Sequence, residues 1–177
     1  MDVKTFRDNL FSMNTRRFGR VCELLIQELI DGGHASSIHY DIDCGGRVEV
    51  KFSRVGKVHN TPINEENVLE VIEGEGLAVR LFPFGEWRQH EFDCNIQQVK
   101  KSEFDVLFYG LLFADCVAVF VAEVDQIGSE MRYSNKQHKG NIGEGQFHIN
   151  NSTFQYHLDN HLCGTLSYTD VMKILQK

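Results

Sequence analysis

The sequence predicts an α/β protein in which helices and a β-sheet share a core. Three features lead to this prediction: a helical apolar stripe over residues 15–31, polar–apolar alternation over residues 38–52, and an almost continuously apolar run over residues 104–125. A run of the third kind is typical of strands that are buried on both faces of a sheet. We therefore expect the strands of residues 104–125 to lie at the centre of the sheet.

Length and composition predict a single domain, residues 1–177. A chain of 177 residues with 42% hydrophobic and 24% charged residues can bury a core of its own and has ordinary globular composition. Its five cysteines include no Cys-x-x-Cys pair, which predicts reduced thiols rather than a disulfide framework or a zinc ribbon. No apolar signal core or bilayer-spanning stretch is present, so we expect a cytoplasmic protein without a membrane partner.

The first element that we examine is a helix over residues 15–31. Asn14 or Thr15 can cap its N-terminus, and the glycines at 32–33 follow its end. Its apolar residues recur at helical spacing: Phe18, Val21, Cys22, Leu25 and Leu29. Glu23 falls on the flank of this stripe, at the border between the buried and the solvated face.

A tight β-hairpin is predicted next, over residues 39–51. Each of its arms has one apolar and one polar face. Cys44-Gly45-Gly46 supplies the turn, because glycine adopts positive φ at little cost. If the loop has three residues, Asp41 lies opposite Glu49, and Lys51 points to the same side of the sheet.

The polar face of this hairpin suits a magnesium site. Two carboxylates opposite one another weaken a sheet unless a cation compensates them. Mg²⁺ prefers hard oxygen ligands and commonly binds one or two carboxylates together with phosphate oxygens. Such an ion polarises a phosphodiester and activates water, and a neighbouring ammonium can orient that water or stabilise the growing charge. The alternative is a solvated hairpin face on which charged residues are simply common.

The order of the helix and hairpin residues resembles the opening of the PD-(D/E)xK nuclease superfamily, to which many type II restriction endonucleases belong. The matching residues are Phe18-Gly19 with Glu23 in the helix, Asp41 or Asp43 in the first strand, and Glu49-Val50-Lys51 in the second. Tyr40 and Ile42 stand where the family motif has a proline. The resemblance implies a restriction endonuclease-like fold, in which a mixed central sheet is flanked by helices.

The resemblance also implies a role for each matching residue. Asp41, Glu49 and Val50 would bind Mg²⁺, with Asp43 as the alternative to Asp41. Lys51 would assist the attacking water, and Glu23 would support the site from the helix.

Between the hairpin and the central strands the sequence predicts two further elements. Residues 64–74 are expected to form a short helix that buries Val68, Leu69, Val71 and Ile72. Residues 77–84 and 87–92 are expected to form a second hairpin that turns at Gly85-Glu86.

A net charge of −7 argues against a nucleic-acid substrate, because the phosphates of nucleic acid repel a negatively charged protein. The acidic residues are concentrated in residues 59–130, so the two ends of the chain could face DNA. Residues 126–177 are the candidate DNA-recognition and C-terminal helical part, since Asn, Gln, Arg and Lys side chains can bond to base edges. The candidate DNA-binding residues are Arg54, Lys57, Arg132, Asn135, Lys136, Gln137, His138, Lys139, Gln146 and His148.

A rival metal site involves histidines. His157 and His161 are four residues apart, which is a zinc-ligand spacing on a helix, although the glutamate of the zincin motif is absent.

Together these observations predict a Mg²⁺-dependent endonuclease that hydrolyses double-stranded DNA. It is most simply a type II restriction enzyme of a restriction–modification system, working as a homodimer because two identical centres cut a twofold-symmetric site. Two alternatives stay open: a junction-resolving or methylation-dependent nuclease, and a non-enzymatic DNA- or protein-binding domain that retains the fold.

Overall fold

A computed structural model describes residues 1–58, 61–136 and 142–177 of the chain. It has mixed α/β architecture with two sheets. The α-helices are α1 (Val3–Ser12), α2 (Thr15–Ile30), α3 (Val68–Gly74), α4 (Leu77–Arg80), α5 (Phe154–Asn160) and α6 (Tyr168–Ile174). The strands are β1 (Gly33–His34), β2 (Ile42–Asp43), β3 (Arg47–Arg54), β4 (Asp93–Val99), β5 (Val106–Leu112), β6 (Cys116–Glu123), β7 (Ser134–Lys136), β8 (Ile142–Asn150) and β9 (Leu162–Ser167).

The larger sheet has six strands in the order β1-β2-β3-β5-β6-β9. It is mixed, because β3 and β5 run parallel whereas the other neighbouring strands run antiparallel. The smaller sheet is antiparallel and has the order β4-β8-β7. The predicted mixed central sheet is therefore confirmed.

Each face of the larger sheet has its own core. On one face, α1, α2 and α6 pack against alternate residues of β3, β5 and β6. On the other face, the smaller sheet and α5 enclose a core rich in aromatic side chains. The helices thus flank mainly one face, and a second sheet covers much of the other.

The predicted helix and central strands are present. Asn14 caps α2, with its side-chain oxygen accepting a hydrogen bond of 3.1 Å from the Arg17 amide. The helix ends where Asp31 adopts a left-handed conformation with φ of 51°. The apolar run of residues 104–125 forms β5 and β6, which lie inside the larger sheet and are mostly buried.

The prediction that the helix at residues 64–74 buries its apolar side chains is wrong. The helix α3 begins at Val68, none of its residues is buried, and Leu69 and Ile72 are 74% and 63% exposed. The physical reason is that strands and longer helices supply the residues of both cores, and no residue of α3 belongs to either core.

The second hairpin predicted at residues 77–92 is also wrong. Leu77–Arg80 is a helix and Phe84–Glu86 is a 3-10 turn. Phe82, Trp87 and Phe92 are all buried, at a spacing of five residues that does not fit the two-residue period of a strand. These aromatic side chains anchor an irregular segment in the core, and the strand β4 begins only at Asp93.

The C-terminal segment 126–177 contributes to both sheets. The strands β7 and β8 belong to the smaller sheet, β9 forms one edge of the larger sheet, and α6 contacts α1 and α2. Within the described ranges, no helix combines the length and apolar character needed to cross a membrane.

Candidate active site

The β2–β3 hairpin has the register that brings the predicted site residues together. Ile42 pairs with Val48 and Asp43 pairs with Arg47, which leaves a loop of three residues at 44–46. Gly45 sits in that loop with φ of 64°, a conformation that favours glycine. One residue before β2, the Asp41 amide donates a 2.9 Å hydrogen bond to the Val48 carbonyl.

Lys51 joins the two predicted carboxylates. Its Nζ forms an ion pair with Glu49 Oε1 and lies 3.9 Å from Asp41 Oδ2. The side chains of Lys51, Asp41 and Glu49 are 23%, 22% and 11% exposed, so they are largely screened from water and yet open to it at one side. The sequence prediction that these three side chains share one side of the hairpin agrees with this geometry.

The main chain of Val50 completes the inner wall of the site. The Val50 amide donates a 2.8 Å hydrogen bond to Asp41 Oδ2, which holds that carboxylate against β3. The Val50 carbonyl lies 3.4 Å from Lys51 Nζ. Three oxygen donors, from Asp41, Glu49 and Val50, are therefore grouped around one ammonium.

Burial perturbs both carboxyl groups. Desolvation raises the pKa of Glu49 to about 7, and the charge of Asp41 adds to the rise while Lys51 opposes it. Desolvation also raises the pKa of Asp41, again opposed by Lys51. Two partly buried carboxylates that resist ionisation are typical of a site that binds a cation or transfers a proton.

Asp43 has a different environment from Asp41. Its carboxylate accepts hydrogen bonds of 2.7 Å from the Tyr40 hydroxyl and 3.0 Å from the Ser36 amide. These hydrogen bonds lower the pKa of Asp43, in contrast to the raised pKa of Asp41. Of the two aspartates, Asp41 is the one beside Lys51, and Asp43 stabilises the preceding loop.

Glu23 lies near the site on α2. Its Oε2 accepts a 2.8 Å hydrogen bond from Arg20 Nη1, and the pair is partly exposed. Burial and Lys51 have larger effects on the pKa of Asp41, but the charge of Glu23 also raises this pKa and the charge of Arg20 lowers it. Glu23 is thus within electrostatic range of Asp41, and its carboxylate is paired with Arg20.

Glu103 is a neighbour of the site that sequence reasoning missed. Its negative charge adds to the effects of burial and Asp41 that raise the pKa of Glu49. Glu103 Oε1 lies 3.5 Å from His39 Nδ1 and 3.8 Å from Lys100 Nζ. No local pattern could have found Glu103, because it comes from the turn before β5, more than fifty residues after Glu49.

The oxygen donors fit a hard cation only in part. Among the residues that the structure describes, no group of three or more His, Cys, Asp or Glu side chains is arranged to hold a metal ion. The pair Asp41 and Glu49 with the Val50 carbonyl is the smaller donor set that Mg²⁺ accepts, because this ion keeps several waters and takes further oxygens from phosphate. These residues would hold Mg²⁺.

Two of the predicted DNA-binding residues follow the site in β3 and the loop after it. Arg54 turns inward, where Nη2 donates a 2.6 Å hydrogen bond to the Met13 carbonyl and the guanidinium stacks 4.0 Å from the centre of the Phe18 ring. It therefore holds α1 and α2 against the sheet. Lys57 forms an isolated bridge with Phe92 and is partly exposed.

The remaining candidates lie on or near the smaller sheet. Asn135 and Lys136 are exposed on β7, and Arg132 donates a 3.1 Å hydrogen bond to Ser152 Oγ. Gln146 Oε1 accepts a 3.0 Å hydrogen bond from Asn95, and His148 Nδ1 lies 2.9 Å from Asp93 Oδ2. Gln137, His138 and Lys139 lie outside the described residues.

The rival histidine pair is part of the aromatic core. His157 and His161 are 0% and 4% exposed. The Tyr109 hydroxyl and His157 Nδ1 form a 2.8 Å hydrogen bond, and His161 Nδ1 donates to the Val121 carbonyl at 3.2 Å. Burial lowers the pKa of His157 to about 4, so both the packing and the charge state are those of a neutral core residue.

Comparison of the chain with family models, curated proteins and solved structures finds no match.

Proposed function

We propose that this chain is a Mg²⁺-dependent endonuclease that hydrolyses phosphodiester bonds of double-stranded DNA. The observation that supports it most is the convergence of Asp41, Glu49 and Lys51 on one side of the β2–β3 hairpin, with Lys51 Nζ against Glu49 and 3.9 Å from Asp41. An acidic pair with an adjacent ammonium is the equipment that phosphodiester hydrolysis needs.

Each residue of the site has a role that suits its chemistry. Asp41, Glu49 and the Val50 carbonyl would hold Mg²⁺, and the ion would supply Lewis-acid activation of the phosphate and of the attacking water. Lys51 orients the attacking water or stabilises the negative charge that develops on the phosphate. Glu23, paired with Arg20, supports the site from α2 through its charge.

The smaller sheet supports a DNA-reading role close to this site. Lys100 Nζ lies 3.8 Å from Glu103 and 3.9 Å from Glu144 near the start of β8. Glu103 also contributes to the raised pKa of Glu49, so neighbouring charged side chains lead from the proposed catalytic centre to β8. Recognition by Asn135, Lys136 and the neighbouring residues would then occur within reach of the bond that is cut.

The finer assignment is to a type II restriction endonuclease-like fold of the PD-(D/E)xK superfamily, acting in the cytoplasm as a homodimer. It is supported by the order of Glu23, Asp41 and Glu49-Val50-Lys51 and by the mixed sheet in which β3 is followed by its parallel neighbour β5.

Cleavage of DNA tests the proposal directly. Plasmid and phage DNA are incubated with the protein in the presence and absence of Mg²⁺, and discrete fragments are expected only with Mg²⁺. Lys51→Ala should lower the cleavage rate by roughly 10²–10⁴-fold while largely sparing DNA binding, because the ammonium serves the chemical step.

Lys173→Ala is the matched control, since Lys173 lies on α6 with its side chain 71% exposed. Unchanged cleavage by Lys51→Ala, or equal losses in both variants, would contradict the proposal. Junction-containing and methylated duplexes are included as substrates, because a preference for either identifies the alternative nucleases.

A second candidate function is that of a non-enzymatic protein-binding domain. One observation favours it: α3 presents Leu69 and Ile72 to solvent among several glutamates, which is a surface suited to a basic, partly apolar partner. Absence of cleavage on every DNA substrate, together with capture of a basic amphipathic peptide, would support this candidate.

A further inference from the structure

The strand β9 leaves one edge of the larger sheet open. It pairs with β6, and no other strand of the described part of the chain lies on its outer side. Its sequence, Leu-Cys-Gly-Thr-Leu-Ser, contains no charged residue and no proline. Natural proteins usually protect an edge strand with charges, prolines, bulges or extreme shortness, because unpaired amides and carbonyls recruit another strand.

Two of the three other sheet edges, those formed by β1 and β7, are better protected. At the opposite end of the larger sheet, β1 has only two residues. On the outer edge of the smaller sheet, β7 has three residues, ends in Lys136 and pairs irregularly with β8. In β9 the only such device is a register shift between Gly164 and Leu162, so Gly164–Ser167 remain regular.

The surface beside this edge is apolar. A groove of about 270 Å³ lies on the face of the larger sheet over β5, β6 and β9, between these strands and the end of α2, and its apolar lining is Leu29, Ile30, Phe108, Val119 and Leu166. Leu29 and Leu162 are 40% and 37% exposed. An open strand edge next to apolar side chains offers both backbone hydrogen bonds and hydrophobic contact to a partner strand.

We infer that β9 pairs in antiparallel orientation with β9 of a second copy of this chain, so that the two larger sheets join across a twofold axis. An antiparallel pair of identical strands is complementary to itself, as a twofold interface requires. Since β9 carries no charge, the pairing brings no like charges together. The absence of charge also disfavours DNA or a charged peptide as the occupant.

This interface deepens the proposed function and rests on it in one respect, since it supplies the homodimer that a twofold-symmetric cut would use. The pairing itself requires neither DNA nor Mg²⁺. Its test is therefore carried out without either of them, so that failure of the interface and failure of the nuclease can be told apart.

Sedimentation velocity over a range of concentrations measures the dimer, and hydrogen exchange measures the amides of Gly164–Ser167. We expect a dimer in which the outward amides of this segment become protected as concentration rises. Thr165→Lys, at an exposed position of β9, should weaken dimerisation by at least about tenfold, because each copy then carries a like charge on the short strand that has to pair. Thr61→Lys, at an exposed position outside both sheets, is the matched control and should leave the dimer unchanged.

Three outcomes overturn the inference: a monomer at all concentrations, a dimer whose β9 amides exchange as fast as those of the monomer, or a Thr165→Lys dimer as stable as that of Thr61→Lys. Circular dichroism of both variants shows that each is folded. A monomer that still cleaves DNA through Lys51 contradicts this interface and leaves the nuclease proposal standing. A β9-paired dimer without Lys51-dependent cleavage supports this interface and contradicts the nuclease proposal.

Discussion

Two clusters of titratable side chains lie side by side on one face of the larger sheet, and they differ in almost every physical property. Lys51 of β3 and Tyr109 of β5 are register partners in adjacent parallel strands. Lys51 belongs to the cluster with Asp41 and Glu49, whereas Tyr109 belongs to the cluster with His157 and His161. The first cluster contains opposite charges near solvent, and the second is neutral and enclosed by aromatic rings.

The difference follows from position in the sheet. On β5 both neighbouring strands are long, and the smaller sheet and α5 cover Tyr109 completely. On β3 the neighbour β2 has only two residues, so the side chains of Glu49 and Lys51 reach the border of the core. Ionisable groups at that border are only partly desolvated, so they can change protonation state and can meet a substrate. Spacing suggested a metal site at both places, but only one of them has the exposure that a reaction needs.

Among the variants that separate the two clusters, the largest effect is expected from Glu49→Gln, which keeps the shape of the side chain and removes its charge. DNA cleavage should fall by roughly 10²–10³-fold, because the oxygen that would hold Mg²⁺ loses its negative charge. The free energy of unfolding should not decrease, since a desolvated carboxylate is removed. Glu28→Gln, on the exposed surface of α2, is the control. A cleavage rate equal to that of the control would remove the functional distinction between the two clusters.

His157→Ala should affect stability and not chemistry. His157 is fully buried against Tyr109, Phe120 and Phe147, so truncation leaves a cavity and should lower the free energy of unfolding by about 3 kcal/mol or more. Urea titration measures the loss, and His148→Ala on the surface of the smaller sheet should lose much less. A loss no larger than that of His148→Ala would show that the histidine cluster is not a structural core.

The two clusters should also respond to pH in opposite directions. The pKa of His157 is lowered from 6.5 to about 4 in the folded protein, so its contribution is complete above pH 6.5 and is lost as the pH falls toward 4, by up to about 3 kcal/mol. The pKa of Glu49 is raised from 4.5 to about 7, so the folded protein binds this proton more tightly and loses stability as the pH rises through that range.

Urea titrations without metal between pH 4 and 8 separate these effects. Glu49→Gln should give stability that rises more steeply with pH than that of the parent, because the opposing contribution is gone. Superimposable pH profiles of the two proteins would contradict the raised pKa of Glu49.

The smallest effect is expected from Tyr109→Phe. The change removes the hydroxyl that bonds to His157 Nδ1 and should cost about 1 kcal/mol, with cleavage unaffected at a temperature where the variant is folded. Tyr156→Phe removes a hydroxyl from the half-buried ring beside His157 and serves as the matched control. A cleavage defect in Tyr109→Phe without loss of stability would show that the histidine cluster also takes part in the reaction.

Local patterns in the amino-acid sequence determined the parts of this protein that depend on near neighbours. A cap at Asn14 or Thr15, a tight turn at residues 44–46 and a shared side for Asp41 and Lys51 follow from turn chemistry and strand alternation, and the structure has the cap at Asn14 and a loop of three residues. The two inner strands were predictable for a similar reason, because a continuously apolar segment of this length is stable mainly as strands that are buried on both faces of a sheet.

Only the tertiary structure decided which elements are covered and which distant residues meet. It brought Glu103 within electrostatic range of Glu49, turned Arg54 inward against Phe18, left α3 exposed and enclosed His157 in aromatic rings. Such outcomes depend on packing between segments far apart in the chain, and periodicity contains no information about them. The same residue types therefore form a charged site at the border of the core and a neutral cluster inside it, because burial sets the cost of charge.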